Sequence, residues 1–303
     1  MKSKTISKVI KLKLENWLNS ITDEKLRERV KSNVLVSGGA IASMYLKEEV
    51  NDYDIYIQDI DVLYDLCEYY LPSTALDGRK RLTYLNEAYP NIDHNNPLTP
   101  DGDSYVAEKY VRLSNLKANQ IKLNVSGTGV KKELKPITNL IEFAKSYRVK
   151  FVSQNAISLE NDVQIVVRFS GTVEEIHKTF DFIHATNYFT FKDGLVLNLA
   201  AMESLITKNL VYQGSLYPLT SIIRMKKFIG RHWTMNAGEV LKIMFQISDL
   251  NLRDIVVLEE QLIGVDVAYF SELITALRGV DTKNMTLSYI NTLIDKIFNS
   301  MDD

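Results

Sequence analysis

The 303-residue sequence contains a single cysteine, Cys67. One thiol excludes an internal disulfide framework and a cysteine-based zinc site, and it fits a reducing compartment, so a cytoplasmic protein is expected. Neither sign of charge is in excess: 36 Lys and Arg stand against 38 Asp and Glu, for a net charge of -2. Any polyanion must therefore be met by a local basic patch rather than by the whole molecule. No apolar run approaches the roughly 18 residues that a membrane span requires, which excludes membrane partners of that kind. The chain also lacks the common glycine-rich phosphate motifs: no G-x-x-x-x-G-K-[ST] occurs, and "GGAIAS" is missing the third glycine of G-x-G-x-x-G. Internal repeats and low-complexity tracts are absent. The opening "MKSKTISKVIKLKLENWL" interleaves charges with apolar residues at helical spacing, so it is expected to be a packing helix rather than a signal peptide.

What is present is enough to build a large core. Hydrophobic residues make up 46% of the chain and charged residues 24%, and the length predicts two lobes rather than one. Residues 1–32 read as a helical segment, since Ile6, Val9, Ile10, Leu12, Leu14, Trp17 and Leu18 fall mostly on one helical face. A short apolar run from Asn33 leads into Ser37, Gly38 and Gly39, then a helical stretch and a strand at Tyr53–Ile57. Asp59 or Asp61 is placed to cap the helix that follows. The stretch 72–136 changes character, with "NIDHNNPLTPDGDS" dense in turn formers, and reads as an insertion. Within it "NQIKLNVSGTGVKK" suggests two strands joined across a glycine turn. Strong β signal returns in "YRVKFVSQNAISL", "DVQIVVRF" and "DFIHATNYFTF", with a short helix at "GTVEEIHKTF" between them. From residue 197 to 303 the spacing is helical, through "LITALRGV" and "YINTLIDKIF".

Chemistry is concentrated at "VNDYDIYI". Alternation along a strand sends Asp52 and Asp54 to one face and Tyr53, Ile55 and Ile57 to the other, with the two acidic α-carbons roughly 6 to 7 Å apart. Such a pair can converge on a hard divalent cation, Mg2+ or Mn2+, which takes one or two carboxylates together with phosphate oxygens. A lone D-x-D is usually a solvated strand entrance. Here it follows a strand, a Ser-Gly-Gly turn and a helix, where the glycines let backbone approach a ligand and the helix N-terminus offers N–H groups to phosphate.

With those residues in that order, the chain resembles the nucleotidyltransferase superfamily of the DNA polymerase β type. The form "GGAIASMYLKEEVNDYDIYI", with twelve residues between Gly39 and Asp52, is most similar to the head domain of tRNA CCA-adding enzymes and bacterial poly(A) polymerases. The stretch Tyr147–Phe191 also resembles phage-encoded nucleotidyltransferases. The resemblance implies an α+β fold: a mixed sheet flanked by helices as the catalytic domain over 33–196, carrying the 72–136 insertion, followed by a helical lobe over 197–303. It implies nucleotide binding by Ser37, Gly38 and Gly39 and metal binding by Asp52 and Asp54. The sequence departs from the family where an Arg-Asp usually follows the helix start, since Ala42 and Ser43 stand there.

A looser similarity to the family's neck helix lies in "YPLTSIIRMKKFIGRHW". Arg224, Lys227 and Arg231 share one face of an unbroken helix, and the first two are candidates for the triphosphate. A third metal-binding carboxylate is common in the wider superfamily. Asp181 is the candidate, as the residue that opens an apolar strand, with Asp162 as its rival; His184 reads as a buried packing histidine. The expected activity is metal-dependent transfer of a nucleoside monophosphate from an NTP to an acceptor hydroxyl, most readily an RNA 3′ end, with release of pyrophosphate. Basic residues in "GRKR" and "GVKKELK" could contact RNA phosphates. A protein-modifying, toxin-like transferase and an inactive nucleotide-binding protein are the alternatives.

Overall fold

The computed structural model describes residues 1–71, most of 112–258, and Gln261, Ser288 and Thr292. The chain divides into two units, Met1–His177 with His184–Leu205, and Lys178–Ile183 with Ile206–Asp303.

In the first unit the apolar period of the N-terminus produces helix α1, Ser3–Ser20, which buries Ile6, Ile10, Leu14, Trp17 and Leu18. These residues recur at three to four positions and so form one continuous stripe. Trp17 finishes it by donating its indole N–H to Tyr70 Oη at 2.9 Å. Helix α2, Glu24–Asn33, is capped by Asp23, whose carboxylate accepts the Leu26 N–H. It runs directly into β1, Val34–Ser37. Helix α3, Gly39–Leu46, and strand β2, Tyr53–Ile57, follow. Then comes α4, Ile60–Tyr70, capped as expected by Asp59, which accepts from the N–H groups of Asp61 and Val62.

Beyond the insertion lie β3, Arg112–Lys117, β4, Gln120–Asn124, and β5, Val130–Lys131. Strands β6, Val149–Val152, β7, Ala156–Leu159, and β8, Val163–Val166, are followed by the short helix α5, Val173–His177. Strands β9, Tyr188–Thr190, and β10, Gly194–Val196, complete an eight-stranded sheet in the order β10-β9-β1-β2-β8-β7-β6-β5. All neighbours are antiparallel except β2 and β8, so the sheet is mixed, as expected. Alternation sorts its faces. Val34 and Val36, Ile55 and Ile57, Ile157 and Leu159, and Val163 and Ile165 enter one core with α1 and α4. The residues between them, Asp54, Ser158 and Gln164 among them, fall on the other face.

Two expectations in the β-rich stretches need correction. The strand pair expected across the glycine turn of "NQIKLNVSGTGVKK" does not form: β4 pairs with β3 before it, and β5 joins the edge of the main sheet against β6. The strand expected to start at Asp181 starts later. Residues Ile183–Ala185 are a 3-10 turn and only Tyr188–Thr190 is extended, because the preceding residues bond away from the sheet, Ile183 N–H to Val211 O. The segments "GRKR" and "LITALRGV", all of "YINTLIDKIF" but Thr292, and insertion residues 72–111 lie outside the described residues.

Helix α6, Leu199–Thr207, reaches into the second unit, which among its described residues holds α7, Pro218–Gly230, and α8, Ala237–Ser248. Strands β11, Asn209–Leu210, and β12, Thr234–Met235, form a small parallel ladder there, so this lobe is not purely helical. Among the described residues no helix is long and apolar enough to cross a membrane.

Candidate functional site

The turn between β1 and α3 is built around two residues with opposite duties. Ser37 is fully buried, and its hydroxyl bonds His177 Nε2 at 2.9 Å, the Asn187 carbonyl at 2.9 Å and the Ala185 carbonyl at 3.2 Å. The hydroxyl expected to reach a nucleotide is thus engaged within the fold, where it fastens the turn. Gly38 has φ +91° and ψ -149°, a region that only glycine enters without strain. Its N–H donates to Ala185 O at 3.0 Å. A Cβ at Gly38 would lie 3.4 Å from Asp54 Oδ2, while one at Gly39 would meet nothing within 4 Å. The bare backbone of Gly38 therefore abuts a carboxylate of the D-x-D pair. Gly39 opens α3, whose first N–H groups lack helical partners and favour an anion.

Asp54 is half-buried in β2, directly across from Gln164 of β8. The Gln164 amide donates to Asp54 Oδ1 at 2.9 Å, and Ser158 of β7 donates to Gln164 Oε1 at 3.2 Å. These three side chains form a row across three strands. Asp52 stands exposed one residue before β2, where the Tyr53 N–H is held by Asp162 O at 2.7 Å. Loss of hydration raises the Asp52 carboxyl above its ordinary range; Lys150 opposes the shift and Asp162 adds to it. A carboxylate in that condition gains from a cation placed beside it. Asp162 itself, the rival candidate for the third carboxylate, sits in the β7–β8 turn with φ +57°.

The donor set fits a divalent cation. Two carboxylates two residues apart offer hard oxygens, no side chain at residue 38 fills the space between Asp54 and the turn, and phosphate oxygens complete such a shell when a nucleotide is bound. Among the described residues no group of three or more His, Cys, Asp or Glu is arranged to hold a metal, so Asp52 and Asp54 would act with the nucleotide rather than as a closed cage.

The remaining expected residues belong to the second unit. Asp181 is buried and accepts from the Phe182 N–H at 3.1 Å and from Arg224 Nη1 at 2.7 Å. The carboxylate expected at the metals and the guanidinium expected at the triphosphate thus hold each other. Lys227 is exposed on α7. The helix ends at Gly230, so Arg231 leaves the shared face, and its guanidinium lies 5.3 Å from the Phe228 ring centre. His184 is buried, as read from the sequence.

Sequence reading missed Gln164 and Ser158. The available signal was a polar residue interrupting the apolar alternation of "DVQIVV", on the face opposite Val163 and Ile165. Cys67 needs no functional account, since complete burial pushes its thiol well above the usual range and leaves it inert.

Strand, glycine turn, helix, and a returning strand whose carboxylate meets that turn are arranged as the sequence's resemblance to nucleotidyltransferases implies. The chain belongs to the Gabija anti-defense 2 (Gad2) family, whose model matches residues 8–208. It is 22% identical over 254 residues to the Gabija anti-defense 2 protein of Bacillus phage SPbetaL7, covering 83% of this chain and 46% of that protein. The chain therefore spans about half the length of that curated relative. Among solved structures it is similar to the CCA-adding enzyme of Bacillus stearothermophilus in complex with CTP, with a TM-score of 0.38, 10% identity, and coverage of 86% of this chain and 51% of that one. It is likewise similar to the Thermotoga maritima CCA-adding enzyme complexed with tRNA, with a TM-score of 0.36, 14% identity, and coverage of 87% and 53%.

Proposed function

We propose that this chain opposes a bacterial defence by binding an NTP at the turn between β1 and α3 and transferring its nucleoside monophosphate to an acceptor hydroxyl, with cleavage of the α–β phosphoanhydride and release of pyrophosphate. The observation that carries the reading is the contact of Gly38 with Asp54. It brings a side-chain-free stretch of backbone, the N-terminus of α3 and a carboxylate to one place. Ser37 keeps the turn in position, the first N–H groups of α3 bind phosphate oxygens, and Asp52 and Asp54 hold Mg2+ or Mn2+. The cation would supply neutralisation of the charge that builds on the phosphates. What the protein contributes is mainly positioning and fixed charge, as phosphoryl chemistry requires. The motif's resemblance to RNA-tailing enzymes puts an RNA 3′ end first among acceptors and a protein hydroxyl second. Asp181 and Arg224 satisfy each other's charge, and the proposed chemistry is built without them.

One observation favours a second reading, nucleotide capture without turnover: the residue facing Asp54 from the neighbouring strand is an amide, Gln164, and not a third carboxylate. The same experiment separates the two. The protein is incubated with Mg2+ or Mn2+, each α-labelled NTP, and RNA, protein extract or no acceptor. Transfer predicts label on one acceptor and a loss of about 100-fold or more in Asp52→Asn and Asp54→Asn. Capture predicts retained, unreacted NTP. Label transfer identical in wild type and both variants would overturn the assignment of the site. Phage plating on a host that carries the Gabija defence tests the outcome in cells, with rescue by the wild type and none by Asp54→Asn expected.

A further inference from the structure

We infer that Gln164 is a positioning residue of the nucleotide site, fixing the rotation of the Asp54 carboxylate so that one oxygen faces the glycine turn; this rests on the functional reading above. A half-buried carboxylate on a strand can rotate about its last bond and turn both oxygens away from a neighbouring group. Here the Gln164 amide N–H holds Oδ1 at 2.9 Å, leaving Oδ2 as the atom a Cβ at Gly38 would approach to 3.4 Å. The amide is not free to turn over either. The Ser158 hydroxyl donates to Gln164 Oε1 at 3.2 Å, and a flipped amide would present that hydroxyl with N–H groups and Asp54 with an oxygen. The β2–β8 register places Gln164 opposite Asp54, and the β7–β8 register places Ser158 opposite Gln164, so the row is set by strand pairing. A neutral donor has a second consequence. It holds the carboxylate without occupying a cation's place, as a lysine or arginine there would.

The test compares wild type, Gln164→Met, Gln164→Glu and Ser158→Ala. Mn2+ binding, alone and with ATP, is followed by the loss of free-ion electron paramagnetic resonance signal, and thermal melting is recorded beside it. In Gln164→Met, which keeps volume and removes the donor, the Mn2+ needed for half-saturation in the presence of ATP should rise about tenfold, as expected for loss of a hydrogen bond to a charged acceptor. Ser158→Ala should move it in the same direction by about threefold. Gln164→Glu sets a like charge beside Asp54, and should bind poorly at low Mn2+ and recover at high Mn2+. Unchanged Mn2+ binding in Gln164→Met and Gln164→Glu, with the melt shifted, would assign the row to the fold alone and overturn the inference. Should the wild type bind neither Mn2+ nor ATP, the functional reading fails by itself, and nuclear magnetic resonance of the Gln164 side-chain amide then decides the positioning role. A downfield amide proton that moves on Asp54→Ala supports it, and a resonance unmoved by Asp54→Ala overturns it.

Discussion

Gly38 and Gly39 are adjacent in the chain and differ in what they tolerate. Alanine at 38 must hold φ near +91° and bring its Cβ to Asp54 Oδ2, so Gly38→Ala should cost about 1 to 3 kcal/mol in denaturant unfolding. Alanine at 39 meets nothing and replaces a helical glycine, so Gly39→Ala should gain about 0.5 to 1 kcal/mol. Equal destabilisation by both would show that the turn is not shaped as described. His177 carries a pH dependence of its own. Burial lowers its pKa from 6.5 to about 4, against the opposing charge of Glu174. Between those values the unfolded chain binds a proton that the folded chain refuses, so stability is intact above about pH 6.5 and is lost as pH falls toward 4. Thermal melts at pH 7.5 and pH 5 should separate in the wild type, and the gap should narrow in His177→Gln.

Elements whose local pattern agrees with their packing were readable from sequence alone. The stripe of α1, the Asp59 cap of α4 and the bounds of β2 all follow from side-chain spacing and capping chemistry that any context would respect. The turn carried its own signal because glycine is required there. Illegible were features decided by remote partners. Nothing local distinguishes β4 pairing backward with β3 from β4 pairing forward, and nothing near Asp181 announces Arg224, 43 positions away. The Gln164 row is a product of register, which two isolated strands do not reveal. The Asp181–Arg224 pair invites a double-mutant cycle. Its arginine is 44% exposed, so the coupling energy for Asp181→Ala and Arg224→Ala should be about 1 kcal/mol in thermal unfolding, well short of a fully buried pair. A coupling near zero would reduce the contact to a surface encounter.

At the scale of the whole molecule the sheet is assembled from distant parts of the chain. Leu35 pairs with Thr190, and Asp54 with Gln164, so the two pairings that join the parts of the sheet are non-local and its folding should be slow for its size. Hydrogen exchange offers the check: amides of β1 and β2 should be protected in the full chain and open in a chain stopped after residue 150. Protection in the shortened chain would mean that β1 and β2 are stable without β8 and β9.

The three bonds of the Ser37 hydroxyl reach residues 177 to 187. During synthesis, then, the glycine turn leaves the ribosome 140 to 150 residues ahead of the partners that lock it. A nascent chain therefore displays Gly38 and both aspartates well before the hydroxyl that fastens their turn has its partners.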